Sequence, residues 1–284
     1  MDRRKLLAGG VMAGGAILAG QAAAQTSSQA ATPQATIPAT QVPEASPARP
    51  PQPSDAARAV QMAPAPVPSS PNIDWANLKR YRQANAQAMA LPAAQRSIVM
   101  MGDSITDNWA KPEFGNGFFD ANSLTGRGIS GQVTGQMLVR FPPDVLALKP
   151  RVVHILAGTN DVAENQDPYD PAITVGNLQA MITLARANGL KVIVGSVPPA
   201  TSFAWRPSRG NQLATIKALN DWIRAACAQQ KLVYADYFSV LQGSDGGLNP
   251  ELGINGDSVH PNAAGYAVMA PVLLAAVKTA LSRG

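Results

Sequence analysis

The sequence is poor in cysteine, histidine and charged residues, and each scarcity excludes a class of protein. Cys227 is the single cysteine among 284 residues, which excludes a disulfide-stabilised scaffold. The two histidines, His154 and His260, lie far apart along the chain, so we expect no dedicated zinc or haem site and no metal. Only 14% of the residues are charged, and residues 73–284 contain no run of Lys or Arg that would offer a surface to nucleic acid.

The net charge of +5 is not concentrated in one part of the chain. Residues 1–72 hold five basic and three acidic side chains, which leaves 18 basic and 15 acidic ones for residues 73–284. So small a basic excess over a whole domain is unlike a protein that binds a phosphate backbone. We therefore expect no nucleic-acid partner.

The first 24 residues have the composition of an export signal. Residues 3–5 are Arg-Arg-Lys, residues 6–20 are apolar and rich in glycine, and residues 22–24 are alanines suited to signal peptidase. The paired arginines resemble a twin-arginine signal, and an ordinary secretory signal is the alternative. Because a membrane span needs about 20 apolar residues, we expect cleavage, an exported (periplasmic or secreted) protein and no stable membrane insertion afterwards.

Residues 25–72 contain 11 prolines and neither glycine nor aromatic residues. Their Ala, Gln and Ser background buries too little apolar surface to offset the entropy lost on ordering. This composition predicts a disordered linker over residues 25–72. The folded domain is then predicted over residues 73–284, which hold every aromatic residue of the chain.

Apolar runs of strand length alternate with longer segments of helical period in the predicted domain, as in βα units that build a parallel sheet. The predicted strands are Ser97–Met101, Leu124–Ile129, Arg151–Ala157, Lys191–Ser196 and Leu232–Asp236. The predicted helices are Trp75–Met89, Val133–Phe141, Ala172–Asn188, Asn211–Gln230 and Asn262–Leu281. We expect an α/β fold, a three-layer α/β/α flavodoxin-like sandwich with about five parallel strands in the order 2-1-3-4-5.

Polar residues follow the first three predicted strands, at the edge where such sheets bind ligands. Ser104 follows strand 1 in Gly-Asp-Ser-Ile, Gly131 follows strand 2 in Ile-Ser-Gly-Gln, and Asn160 follows strand 3 in Gly-Thr-Asn-Asp. A serine there suits a nucleophile, and a glycine N–H or an asparagine amide suits an oxyanion. Each has a plain alternative, a helix N-cap for Ser104 and Asn160 and a simple turn for Gly131.

Asp257 and His260 lie three residues apart just before the last predicted helix. An imidazole that accepts a serine proton needs a third group to fix its tautomer and stabilise its charged form, and a carboxylate on the same turn can do so. The alternative base is His154, which lies inside predicted strand 3 and is better explained as a core residue. His260 is therefore the predicted general base.

The four segments together resemble the SGNH, or GDSL-type, hydrolase family of esterases, acylhydrolases and carbohydrate deacetylases. The resemblance covers residues 96–284, with Ile105 where the name-giving pattern has Leu. It implies that Ser104 is the nucleophile, His260 the base and Asp257 the carboxylate that orients it. It also implies an oxyanion hole made by the N–H groups of Ser104 and Gly131 and the side chain of Asn160, with no cofactor.

The loop after predicted strand 4 carries the candidate substrate contacts. Trp205 suits stacking on a sugar ring and Arg206 suits an anionic group, with packing on the domain as the alternative for both. The favoured function is a serine esterase for short-acyl (acetyl) esters, acting on a small ester or an acylated carbohydrate. The alternatives are a lysophospholipase or thioesterase, an acyl transferase, and a non-catalytic binding module on the same fold.

Overall fold

The computed structural model describes residues 74–283. The predicted export segment (1–24) and linker (25–72) lie outside the described residues, and the domain boundaries stay predictions. The described strands are β1 (Ile98–Gly102), β2 (Leu124–Gly128), β3 (Val152–Leu156), β4 (Lys191–Gly195) and β5 (Val233–Ala235). All pair in parallel in the order β2-β1-β3-β4-β5, which confirms the predicted topology.

Helices alternate with the strands along the described part of the chain. They are α1 (Arg82–Ala90), α2 (Ser104–Trp109), α3 (Pro112–Gly115), α4 (Phe118–Ala121), α5 (Thr134–Asp144), α6 (Thr159–Val162), α7 (Pro171–Ala187), α8 (Leu213–Gln230), α9 (Tyr237–Leu241) and α10 (Ala263–Ser282). Short 3₁₀ turns lie at Ala93–Arg96, Leu146–Leu148 and Pro207–Arg209. The longest helices provide the two outer layers.

The sheet is covered on both faces, which is why β1 and β3 are buried at every position. Side chains of α5, α7 and α8, such as Phe141, Met181 and Ile223, pack on one face. Side chains of α2, α9 and α10, such as Trp109 and Met269, pack on the other. The result is the expected three-layer α/β/α sandwich.

The register of the central strands brings their carboxyl ends to one edge. Gly102, the last residue of β1, pairs with Gly128 of β2 and with Leu156 of β3. The residues that follow these three strands therefore leave the sheet at the same level. This edge is where Ser104, Gly131 and Asn160 were expected to meet.

The prediction of a helix over Trp75–Met89 is wrong in its first half, because α1 begins only at Arg82. The Asp74 carboxylate accepts hydrogen bonds from the N–H groups of Leu78 and Lys79, and Asn77 has a left-handed φ of 56°. An aspartate that bonds to the backbone ahead of it favours a turn over a continuous helix. Trp75 consequently lies in a turn.

The last helix, α10, is long and apolar enough to cross a membrane, judged by length and composition among the described residues. Its buried residues include Tyr266, Met269 and Leu273, which belong to the core cluster on the α2 side of the sheet. The apolar content of α10 is therefore explained by the side of the helix that packs in the core.

Candidate active site

The turn that connects β1 to Ser104 has almost no space for a side chain at Gly102. A Cβ at Gly102 would lie 2.1 Å from Thr106 Oγ1 and 2.9 Å from the Leu156 carbonyl oxygen, so only glycine fits. The next residue, Asp103, accepts a hydrogen bond from Ile105 N and caps α2. Ser104 is thus the first residue of α2, and its own N–H has no acceptor within the helix.

The structure brings Ser104, His260 and Asp257 together, as the sequence predicted. Ser104 Oγ lies 2.8 Å from His260 Nε2, and His260 Nδ1 lies 2.6 Å from Asp257 Oδ2. Both distances are those of hydrogen bonds. When Nδ1 carries its proton toward Asp257, the Nε2 lone pair faces the serine hydroxyl.

The loop before α10 holds the Asp257 carboxylate in place with backbone donors. Asp257 Oδ1 accepts from Val259 N at 2.8 Å and from His260 N at 3.2 Å. Burial alone would raise the pKa of Asp257, but the His260 side chain and these N–H groups outweigh burial and hold the pKa below its usual 3.8. Asp257 therefore stays ionised beside His260 at neutral pH.

Gly131 and Asn160 meet through a shared neighbour, Asn165. The Asn165 amide nitrogen lies 3.2 Å from the Gly131 carbonyl oxygen and 2.7 Å from Asn160 Oδ1. Gly131 has a φ of 79°, in the left-handed region where glycine is favoured. Within residues 74–283, the Gly131 N–H makes no hydrogen bond.

The Asn160 amide is directed toward the residue before the serine. Its Nδ2 lies 3.0 Å from the Gln132 carbonyl oxygen and 3.3 Å from Asp103 Oδ2. Asp103 is fully buried, and burial raises the pKa of its carboxyl from 3.8 to about 6. Asp103 thus caps α2 and links the Ser104 turn to the Asn160 loop, so it positions both residues.

Arg140 of α5 is a site-supporting residue that the sequence analysis missed. Its fully buried guanidinium donates to the Gly102 carbonyl oxygen at 2.8 Å, to Gln132 Oε1 and to Asp144 Oδ2 at 3.1 Å. It thereby ties the end of β1 to the segment that carries Gly131. No sequence motif marks this residue, because its contact with the Gly102 carbonyl oxygen joins positions 38 residues apart.

Of the two candidate substrate contacts, Trp205 lies beside His260 and Arg206 lies against Asn165. The Trp205 ring centre is 5.8 Å from that of His260, and Trp205 Nε1 donates to Asn165 Oδ1 at 2.7 Å. Arg206 Nη2 lies 3.4 Å from the Asn165 carbonyl oxygen. Asn165 therefore contacts the Trp205 loop, the Gly131 turn and Asn160 at once, a role that its place in a polar loop does not reveal.

His154 lies in β3, away from this site, as expected. It is fully buried, and its Nε2 lies 2.9 Å from the Tyr237 hydroxyl, while Nδ1 has no partner in the described part of the chain. Burial lowers its pKa from 6.5 to about 3, so the ring is neutral at physiological pH.

The described residues offer no group of three or more His, Cys, Asp or Glu side chains placed to hold a metal ion. The arrangement at the sheet edge instead has the parts of a nucleophile, a base and its orienting carboxylate, with free N–H groups nearby. These parts suit acyl transfer from an ester. The absence of a cofactor stays a prediction.

Comparison with known proteins supports this chemistry. Residues 100–268 match the model of the GDSL-like lipase/acylhydrolase family. No curated protein matches the chain.

Solved structures give the same assignment. A proposed acylhydrolase from Bacteroides fragilis is 41% identical over 72% of this chain and 98% of its own, with a TM-score of 0.68. A GDSL-like lipase from Bacteroides thetaiotaomicron is 40% identical over the same shares, with a TM-score of 0.67. An acetylxylan esterase from Geobacillus stearothermophilus, 19% identical over 63% of this chain and 93% of its own with a TM-score of 0.51, shares the fold alone. The chain belongs to the GDSL-like lipase/acylhydrolase family, and it is a carboxylic ester hydrolase of the SGNH type.

Proposed function

We propose that the protein is a serine esterase that hydrolyses short-acyl esters, acetyl esters first, through an acyl-enzyme. One observation carries the proposal: Ser104 Oγ lies 2.8 Å from His260 Nε2 while Asp257 Oδ2 lies 2.6 Å from Nδ1 of the same ring. This is the order of contacts that nucleophilic catalysis by serine requires.

The reaction proceeds in two halves. Ser104 Oγ attacks the ester carbonyl as its proton moves to His260 Nε2, and the imidazolium is stabilised by the ionised Asp257. The tetrahedral intermediate then expels the alcohol, which takes the proton from Nε2 and leaves an acylated Ser104. Water attacks this acyl-enzyme with His260 again as base, and the acid leaves as Ser104 regains its proton.

Three donors are available to the oxyanion. Among residues 74–283, the N–H groups of Ser104 and Gly131 have no competing acceptor. Asn160 supplies the third donor, through the Nδ2 hydrogen whose contact with Asp103 Oδ2 is long at 3.3 Å. The shorter bond to the Gln132 carbonyl oxygen holds the planar amide in place, so the weakly bonded hydrogen is the one the oxyanion can share.

The polar cavity next to the oxyanion hole favours a substrate with a short acyl group. The cavity that includes Gly131 has a volume of about 470 Å³ and is lined mostly by polar residues, among them Ser130, Gln132 and Gln136. A cavity of about 620 Å³ that is lined mostly by apolar residues lies between α2–α4 and α10, and its lining includes no catalytic or oxyanion-hole residue. A long acyl chain would therefore find few apolar contacts in the cavity that adjoins the oxyanion hole.

A larger cavity, about 770 Å³, lies at the opposite, amino-terminal edge of β4 and β5. Its lining includes Cys227, whose thiol is buried and has a pKa raised by burial to about 11. A thiol with so high a pKa is a weak nucleophile at neutral pH. The reaction is therefore assigned to the Ser104 edge.

The polar cavity beside Gly131 and the exposed Trp205 beside His260 support an acylated carbohydrate as substrate. Export of the protein, proposed from residues 1–24, would bring it into contact with extracellular or cell-wall glycans. A lysophospholipase would need an apolar surface for its acyl chain, which the cavity beside Gly131 does not offer.

The test is hydrolysis of p-nitrophenyl esters of two to twelve acyl carbons by wild type and Ser104→Ala. We expect the acetyl ester to give the highest kcat/KM and Ser104→Ala to lose at least about 10⁴-fold in kcat with an unchanged circular dichroism spectrum. A preference for the longest chain would overturn the short-acyl assignment. Assays with added sugars separate the alternatives, since an acylated sugar as the main product would identify an acyl transferase.

A further inference from the structure

Two of the four tryptophans are largely exposed, and both lie beside the segment that follows α6. Trp205 is 40% exposed and stands against His260, while Trp75 is 49% exposed and stands near the first turn of α5. A Cβ at Gly135 would lie 3.4 Å from the Trp75 ring, an ordinary van der Waals distance, so the indole packs directly over this turn of α5.

Adjacent residues fix the two indoles. Trp205 Nε1 donates to Asn165 Oδ1 at 2.7 Å, and Trp75 Nε1 donates to Gln166 Oε1 at 3.2 Å. An indole has a single donor. With that donor occupied, each ring has a defined orientation and offers a ligand mainly its apolar face.

A polar groove connects Trp75 to the active site. The cavity of about 470 Å³ extends from Gly131 to Trp75, and its other lining residues include Asn77, Ser130, Gln132, Gln136 and Gln166. Asp74 and Lys79 add one charge of each sign. At the Gly131 end of the groove, the Gly131 carbonyl oxygen accepts from Asn165, and Asn165 Oδ1 accepts from Trp205 Nε1. One residue thus joins Trp205 to the groove that Trp75 lines.

We propose that this groove binds a neutral oligosaccharide, with one sugar ring stacked on Trp75 and the acylated sugar positioned between Trp205 and Ser104. The inference rests on the proposed function and extends it to a glycan chain longer than one sugar. A sugar ring has an apolar C–H face that suits an indole and hydroxyl groups that need amide and hydroxyl partners. The groove offers the ring face of Trp75 together with the exposed side chains of Asn77, Ser130 and Gln166. The amides of Gln132 and Gln136 are buried and bonded within the protein, so they form the floor of the groove.

The first experiment measures kcat and KM of wild type and Trp75→Ala on an acetylated monosaccharide and on acetylated tetrasaccharides of glucose, xylose and N-acetylglucosamine. We expect the wild type to prefer one tetrasaccharide over the monosaccharide. Trp75→Ala should reduce that preference about 10-fold, mainly through KM, and Trp75→Phe should retain most of it because the ring face remains. Leu274→Ala, an exposed apolar position on α10, serves as the control and should change neither value.

A second measurement separates this inference from the esterase proposal. Binding of the same tetrasaccharides without their O-acetyl groups to the full-length Ser104→Ala protein is followed by calorimetry, which needs no turnover. Binding that weakens about 10-fold in the Ser104→Ala, Trp75→Ala double variant supports the groove even if no ester is cleaved. Equal binding to both variants, or binding of no tetrasaccharide, overturns the groove while p-nitrophenyl acetate hydrolysis by the wild type would leave the esterase intact.

Discussion

The two histidines occupy regions of the molecule with opposite chemistry. His260 lies at the carboxyl edge of the sheet, partly exposed, with a carboxylate on one ring nitrogen and a serine hydroxyl on the other. His154 lies inside β3, fully buried, with the Tyr237 hydroxyl on one nitrogen and nothing in the described part of the chain on the other. The same side chain is suited to proton transfer in one region and to packing in the other.

The difference shows what makes a histidine useful as a base. Burial without a charged partner lowers the pKa of His154 to about 3, because nothing near the ring stabilises its protonated form. His260 instead has the Asp257 carboxylate 2.6 Å from Nδ1, and its position at the carboxyl edge of the sheet leaves the ring accessible to a substrate. A neighbouring carboxylate and access, more than the imidazole itself, distinguish the two sites.

The largest expected effect tests this comparison directly. His260→Ala should lower kcat on p-nitrophenyl acetate by at least about 10⁴-fold, since it removes the base of both halves of the reaction. His154→Leu should leave kcat within a factor of about two while changing the melting temperature. Activity that is lost with His154 and retained without His260 would reverse the assignment.

Asn160→Ala should have the next largest effect on kcat, because it removes one oxyanion donor and leaves the Ser104–His260 pair intact. We expect kcat to fall about 10²- to 10³-fold with little change in KM. Steady-state kinetics on the acetyl ester measure both. A change in KM alone would show that Asn160 binds the substrate in its ground state.

The sequence predicted the sheet order and the meeting of Ser104, His260 and Asp257, and the reason is local. Each residue lies directly after a strand or before a helix, and parallel strands place those positions at a common edge. The strand boundaries were within one or two residues for the same reason. Apolar, β-branched runs such as residues 152–156 have few other ways to be buried.

Other features depend on contacts that chain spacing does not encode. The contacts of Arg140 with Gly102 and of Asn165 with Trp205 join residues about 40 positions apart. Short helices such as α6 carry too few residues for a periodic pattern. The turn at Trp75 was not predicted, because the residues around it have a composition typical of a helix. In the structure, the hydrogen bonds of the Asp74 side chain to the backbone favour a turn there, and tertiary context decides between the two conformations.

The buried histidine also predicts how stability depends on pH. Its folded pKa of about 3 lies below the 6.5 of the unfolded chain, so below pH 6.5 the unfolded chain takes up a proton that the folded chain does not. The contribution of His154 to stability should therefore fall as the pH falls, by about 2 kcal/mol from pH 7 to pH 5.

Urea unfolding of wild type and His154→Leu at both pH values measures this term. Asp103, whose pKa is raised to about 6, works in the opposite direction, because the folded chain then binds the extra proton. It is present in both proteins and cancels in their difference. Equal pH dependence in the two proteins would show that His154 is not neutral in the folded state.

The smallest expected change in kcat is for substitution of Asn165, which acts on the active site only through the residues it contacts. Asn165→Asp keeps an oxygen for Trp205 Nε1 but loses the amide that donates to Asn160 Oδ1 and to the Gly131 carbonyl oxygen. If its role is to orient the oxyanion donors, kcat should fall about 10-fold with KM nearly constant. Asn188→Ala, which removes an exposed side-chain bond at the end of α7, is the matched control. If Asn165→Asp kept full kcat while Asn165→Ala raised KM, Asn165 would instead serve Trp205 and the substrate.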